Sequence, residues 1–188
     1  MNSESNKLNK ADIIVDIYKR NGNKDYIGED ITQIEHALQC AYYAIHNNYD
    51  IDIIIACLLH DIGHIIDFDD RLDTMDTFGV RNHENIGASF LSKIGFNNKI
   101  CELVRQHVNA KRYLLTTNIE YKNKLSNASY TTFNYQGGFM TEQEIKDFEQ
   151  HIYFDDCIKL RYIDDIGKNI DINVGCIDDY YSILMSSV

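Results

Sequence analysis

The 188-residue sequence contains no proline and no tryptophan, and neither absence carries functional information. More telling is the lack of an uninterrupted apolar run of the length a membrane span needs, about 20 residues. The polar opening MNSESNKLNK also lacks the apolar stretch of a secretory signal. A soluble, cytoplasmic protein with no membrane partner is expected. Basic residues are in deficit: 18 Lys and Arg stand against 29 Asp and Glu, a formal charge of −11. Such a balance disfavours nonspecific binding to nucleic-acid backbones, so no nucleic-acid partner is expected. A small anion is not excluded, because a few basic groups gathered in a pocket can reverse the field locally. The cysteines Cys40, Cys57, Cys101, Cys157 and Cys176 show no CxxC spacing and mostly sit within apolar helical patterns, which predicts reduced core thiols.

Strict apolar alternation over a strand's length is missing too, and the spacing that is present is helical almost throughout. The expected fold is all-α, a single helical domain spanning residues 1–188 with no linker or repeat. A first helix is predicted over residues 10–20, then a loop from Asn21 to Ile31. Thr32-x-x-Glu35 is a capping box that opens a second helix and places His36 in its first turn. Residues 51–66, IDIIIACLLHDIGHII, are apolar around nearly the whole circumference and read as a central helix carrying His60, Asp61 and His64. A polar loop over 67–82 leads to a helix starting near His83 and stopping at Gly95, and the next helix puts Leu103, Val104, His107 and Val108 on one stripe. The pattern weakens between Ala110 and Gly138, where Gln136-Gly137-Gly138 marks a turn. Thr141-x-x-Glu144 caps a further helix, and a last clear one runs from about Tyr153 to Lys168. Beyond Ile170, Tyr180, Tyr181, Ile183 and Leu184 suggest a final packed helix.

The chemistry concentrates in the central helix. An ionised carboxylate beside His60 in so apolar a segment demands a compensating charge, and a metal cation is the natural one. Helical neighbours diverge by about 100°, so a single ion bound by both needs a bent approach. The alternative is that Asp61 spreads its two oxygens over two ions. His36, His83 and His107 each fall at a helix start or on an apolar stripe, and imidazole suits iron, zinc or manganese when its second nitrogen is oriented by a partner. Taken alone, each such histidine is more often a hydrogen-bonded core residue; the conjunction of all of them with an inward Asp164 favours a site. Asp164 is preferred to Asp165 because it shares the face of Cys157, Leu160 and Arg161. His46 and His151 read as surface residues.

The order H…HD…H…H…D, with Gly63-His64 following the HD pair, resembles the HD-domain superfamily in its two-metal form. The resemblance then narrows. Tyr26-x-x-Glu29, Glu35-His36, Gly79-Val80-Arg81-x-His83-Glu84, His107-Val108-x-Ala110-Lys111-Arg112-Tyr113-Leu114, Gln136-Gly137-Gly138-x-Met140 and Leu160-Arg161-x-x-Asp164-Asp165-x-Gly167-Lys168 are similar to the mixed-valent di-iron oxygenases that cleave carbon–phosphorus bonds. The similarity covers about residues 10–170 and leaves 171–188 as a tail. It implies that His36, His60, Asp61 and Asp164 hold one iron, that Asp61 bridges to a second held by His83 and His107, and that Tyr26 closes the second iron's shell until substrate arrives. It also implies phosphonate contacts from His64, Lys111, Ser129 and Arg161, with Tyr26 and His64 as catalytic groups. Glu29 would face a substrate ammonium. Two departures bear on pocket shape: Phe139 stands where relatives usually have proline, and Ile163 where an aromatic residue is expected.

The implied reaction uses two iron ions, Fe(II)/Fe(III), with O2 as co-substrate. A small organophosphonate, 2-amino-1-hydroxyethylphosphonate or its N-trimethyl analogue, would give glycine or glycine betaine plus inorganic phosphate. The rival reading is an HD-type phosphohydrolase, in which the same ligands hold divalent metals that activate water against a phosphate ester. Inositol-oxygenase-like chemistry and a metal-stabilised binding module are further alternatives that explain the candidate phosphonate contacts less well.

Overall fold

The computed structural model describes residues 9–26, 28–66, 74–75 and 79–187. Of the predicted loop 67–82, residues 67–73 and 76–78 lie outside the described residues. Among those described, the regular structure is helical, with only two isolated bridges, Asp25 to Thr32 and Thr74 to Val80. The order is α1 Lys10–Asn21, α2 Gln33–His46, α3 Ile51–Leu59, α4 His83–Ile94, α5 Asn98–Thr117, α6 Ile119–Lys122, α7 Asn127–Tyr135, α8 Glu142–Glu149, α9 Phe154–Ile166 and α10 Tyr181–Ser186, with 3-10 turns at Ile62–His64 and Ile177–Tyr180. No helix of the described residues is long and apolar enough to cross a membrane.

The caps do what the sequence asks of them. The Thr32 side chain accepts from the Glu35 amide while Glu35 accepts from the Thr32 amide, and Thr141 and Glu144 repeat the exchange at α8. Such caps satisfy amides that a helix start leaves without partners, each contributing about 1 kcal/mol. At α2 this fixes where the helix begins, and so where His36 points.

Helix α5 packs against α3, α4 and α9, and α2 lies across α3 and α9. The core is continuous from Ala11 and Ile14 on α1, through Ile53, Ile55 and Leu59 on α3 and Leu103 and Val104 on α5, to Leu160 on α9. Cys40, Cys57, Cys101 and Cys157 are buried free thiols, whereas Cys176 is exposed. The tail does form a final packed helix: α10 rests on α1 and α3, with Ile177, Tyr180 and Leu184 buried. Each such side chain contributes about 1.5–3 kcal/mol by leaving water.

One expected element is shorter than its periodicity suggested. The predicted helix over 51–66 ends at Leu59, and Asp61 turns the chain with φ −99 and ψ 8 before the short 3-10 turn. The apolar pattern runs on unbroken because both segments are buried. Close backbone approach follows at once: a Cβ at Gly63 would run into the carbonyl of His83.

Candidate metal centre

Five elements converge where α3 gives way to the turn. His36 comes from the first turn of α2, His60 and Asp61 from the end of α3, His83 from the first residue of α4, His107 from the middle of α5 and Asp164 from α9. All four histidines are at most 3% exposed. Each has its Nδ1 directed at a backbone carbonyl: His36 at Gly167 (2.8 Å), His60 at Cys57 (2.9 Å), His83 at Val80 (3.2 Å) and His107 at Val104 (2.7 Å). A ring nitrogen facing a carbonyl must carry the proton, so the Nε2 lone pairs are the free ones. Gly167 is needed for this: a Cβ there would lie 2.5 Å from the Cys40 Sγ and 3.4 Å from the His36 Nδ1.

Those Nε2 atoms meet in pairs. His36 and His60 face each other at 3.2 Å, and His83 and His107 at 3.0 Å. Asp61 lies between the pairs and divides its oxygens. Its Oδ2 is 3.3 Å from His60 and 3.7 Å from His36; its Oδ1 is 3.3 Å from His83 and 3.5 Å from His107. Asp164 Oδ1 joins the first pair, 3.4 Å from His36 and 3.8 Å from His60. Lone pairs and carboxylate oxygens gathered this closely repel one another unless a cation or proton lies among them. The donor set therefore fits metal binding, in two groups that share the Asp61 carboxylate. The turn and the divided carboxylate together answer the divergence of helical neighbours.

Electrostatics agree. Burial works against a charged His60, but Asp61 and Asp164 outweigh it and push its pKa up to about 10. Burial also opposes ionisation of Asp61 and Asp164, yet His60 beside the first and Arg161 beside the second hold both well below the usual carboxylate range. At neutral pH these shifts leave the proton on His60 and both carboxylates ionised.

The other oxygen of Asp164 accepts from Arg161 Nη1 at 2.6 Å, while Arg161 Nη2 pairs with Asp165 and its Nε donates to the Tyr121 hydroxyl at 2.8 Å. Asp165 also accepts from that hydroxyl at 2.6 Å. Adjacent carboxylates thus take different tasks: Asp164 joins the histidines, and Asp165 anchors the guanidinium.

A cavity of about 60 Å³ opens beside the second pair, lined by Asp61, His83, His107 and Asp164. Tyr26, Glu29, His64, Lys111, Ser129 and Arg161 all line it. The Lys111 ammonium donates to Thr132 at 3.0 Å, and burial together with Arg161 lowers its pKa to about 7. His64 stacks on His83 with ring centroids 3.9 Å apart, and its Nδ1 accepts from the Val80 amide at 3.0 Å. Burial and the neighbouring histidines hold it neutral, so its Nε2 carries a proton to donate. Tyr26 stacks on His36 at 4.0 Å, and burial plus Asp164 and Asp61 keep its phenol well above the usual range.

Several lining residues had no assigned role from sequence: Gln33, Thr132, Gln136 and Lys168. Lys168 reaches Glu29 at 3.3 Å and the Ser129 hydroxyl at 3.0 Å, and sits 5.6 Å over the Tyr26 ring. Glu29 therefore faces an ammonium of the chain itself. Thr132 was legible in principle, since it lies three residues after Ser129 on α7 and shares its face. The contact of Lys168 with Glu29 spans 139 residues of chain and that with Ser129 spans 39, so neither leaves a local signal. Phe139 and Ile163 are not among the lining residues; Phe139 is 55% exposed against Phe133, and Ile163 is core. His46 is exposed, while His151 is half-buried, 3.5 Å from Glu102.

Comparison with known proteins places this geometry. A family model for the HD domain matches residues 34–131. The chain is 40% identical over 169 residues, 90% of its length and 85% of the relative's, to the [1-hydroxy-2-(trimethylamino)ethyl]phosphonate dioxygenase (glycine-betaine-forming) of Leisingera caerulea. It is 37% identical over 161 residues, covering 85% of this chain and 79% of the relative, to the hydroxymethylphosphonate dioxygenase of Gimesia maris. An uncharacterised protein of Acanthamoeba polyphaga mimivirus is 37% identical over 178 residues, 95% of this chain and 81% of its own. The chain belongs to the HD-domain family and, within it, to the oxygenases represented by these phosphonate dioxygenases.

Proposed function

We propose that this single-domain protein cleaves the carbon–phosphorus bond of a 1-hydroxyphosphonate with dioxygen, giving a carboxylic acid and inorganic phosphate. One O2 per substrate balances the reaction: one oxygen atom ends in each product, and no outside reductant is consumed. The observation that carries this reading is the divided Asp61 carboxylate between two histidine pairs, set against a cavity that also presents Lys111 and Arg161.

His36, His60, Asp61 and Asp164 would hold one iron, and Asp61, His83 and His107 the other, with Tyr26 as a displaceable ligand. A ferrous and ferric pair supplies Lewis acidity toward the substrate's oxygens and electrons toward dioxygen. The remaining work belongs to the chain. Lys111, Ser129 and the His64 Nε2–H donate to phosphonate oxygens. Arg161 adds its remaining N–H groups in a direction fixed by Asp164, Asp165 and Tyr121, as suits a bidentate partner of an oxyanion. Glu29 would receive a substrate ammonium in place of that of Lys168, with the Tyr26 ring alongside. This favours 2-amino-1-hydroxyethylphosphonate or its N-trimethyl analogue. Buried free thiols support a reducing, cytoplasmic setting.

The test is anaerobic reconstitution with ferrous iron, partial oxidation, and electron paramagnetic resonance with each compound and with hydroxymethylphosphonate. A coupled Fe(II)/Fe(III) signal perturbed by one of them, with phosphate released only when oxygen is admitted, is the expected result. Hydrolysis of a phosphate ester without oxygen, supported by manganese, nickel or magnesium, would put the phosphohydrolase in its place.

A further inference from the structure

The two clusters are unequally supplied with negative charge. Among the described residues, Asp61 and Asp164 both serve the first, whereas only the second oxygen of Asp61 serves His83 and His107. The histidines are also unequally held: the Nδ1 contact of His83 with its carbonyl, at 3.2 Å, is the longest of the four. Beside it stands Glu84, whose Oε2 lies 3.7 Å from that same Nδ1 and is buried without a hydrogen-bond partner. Its other oxygen is anchored, accepting from Asn85 at 3.0 Å, and Asn85 in turn accepts from Arg105 at 3.1 Å. A buried carboxylate oxygen left unpaired is costly and calls for an explanation.

We propose that Glu84 is a positioning residue for the second metal ion. This inference rests on the reading of the two clusters as metal sites. An ion on the His83 Nε2 makes the Nδ1–H a stronger donor, and a small tilt of the ring brings that donor within reach of Glu84 Oε2. The carboxylate then raises the basicity of His83 and fixes its orientation, supplying from the outer shell the charge that Asp164 gives the first ion directly. Among the described residues, no carboxylate stands at the Nδ1 of the other three histidines, so the effect is confined to one site.

A structural role for Glu84 is the competing account, because an acidic residue in the first turn of α4 also stabilises the helix start. The two accounts separate in an anaerobic titration of the full chain with ferrous iron against a chelator, for the unaltered protein and Glu84→Gln. The expected result is a roughly ten- to hundredfold weaker second ion with the first unchanged. Equal loss at both ions, no loss at either, or a lowered melting temperature of the metal-free protein as the sole effect overturns the proposal. Binding of fewer than two ions by the unaltered protein overturns the two-metal reading and this inference with it. A second measurement needs no variant. In the zinc-loaded protein the His83 Nδ1–H resonance should lie downfield of those of His36, His60 and His107, and a position among the other three counts against the assignment.

Discussion

The two histidine clusters share Asp61 and differ in how they face the rest of the molecule. The first keeps its histidines out of the cavity: His36 and His60 are 0% and 1% exposed and neither lines it, so that cluster reaches the cavity through Asp164, which is held by Arg161. The second opens on the cavity through His83 and His107 and, among the described residues, has no second carboxylate of its own. On the proposed two-metal reading, the first cluster is the one placed to retain its ion. On the same reading the other would leave its ion open toward the cavity, where substrate and dioxygen would arrive, as a reacting metal requires.

The most direct way to erase this division is Asp61→Ala, which removes the shared ligand. Turnover should fall on the order of a thousandfold or more, and metal analysis should find neither ion retained. Asp164→Asn should separate the clusters, dropping the metal content to the second ion alone. It also takes a buried partner from Arg161 and should destabilise the metal-free protein by about 3 kcal/mol in a denaturant melt. Loss of both ions in Asp164→Asn would show that the clusters do not bind independently.

The pH dependence sharpens the contrast. With its pKa raised to about 10, His60 carries a proton at neutral pH at the place proposed for the first ion. That proton stabilises the metal-free fold fully below the unfolded value of about 6.5, an advantage lost as pH rises through 10. Uptake of the first ion at neutral pH should therefore release a proton, and its affinity should rise by up to about tenfold per pH unit. Calorimetry in buffers of different ionisation enthalpy reads the proton directly; no release contradicts the assignment.

On the cavity side the sign reverses for substrate. Lys111 titrates at about 7, so its ammonium is lost as pH rises above neutrality. The KM for an anionic phosphonate should climb between pH 7 and 9, and Lys111→Met should flatten that slope. The smallest effect is expected far from both clusters. The pair of Lys19 and Asp178 joins α1 to the tail at 2.7 Å with both side chains more than half exposed, and Asp178→Asn should cost under about 1 kcal/mol and leave metal content unchanged.

Much of this was legible in the chain. Helical periodicity gave the bundle, and the capping boxes at Thr32 and Thr141 marked helix starts that the structure contains. His107 on an apolar stripe and Asp164 rather than Asp165 on the inward face of α9 followed from helical phase alone, and the structure brings both residues to the clusters. The end of α3 at Leu59 was not legible, because burial on both sides of the turn keeps the hydrophobic pattern continuous across it. Nor were the Lys168 contacts with Glu29 and Ser129, or the unpaired oxygen of Glu84. Both depend on where distant segments come to rest, which no local spacing encodes.

Gly63 bears on more than the shape of one turn. Because even a methyl group there would strike the His83 carbonyl, the backbone after Asp61 and the backbone that presents His83 rest directly on each other. The offset between the Asp61 carboxylate and the His83 imidazole is thus set in part by main-chain contact. A single added carbon at position 63 would force those two backbone segments apart and shift the one ligand against the other.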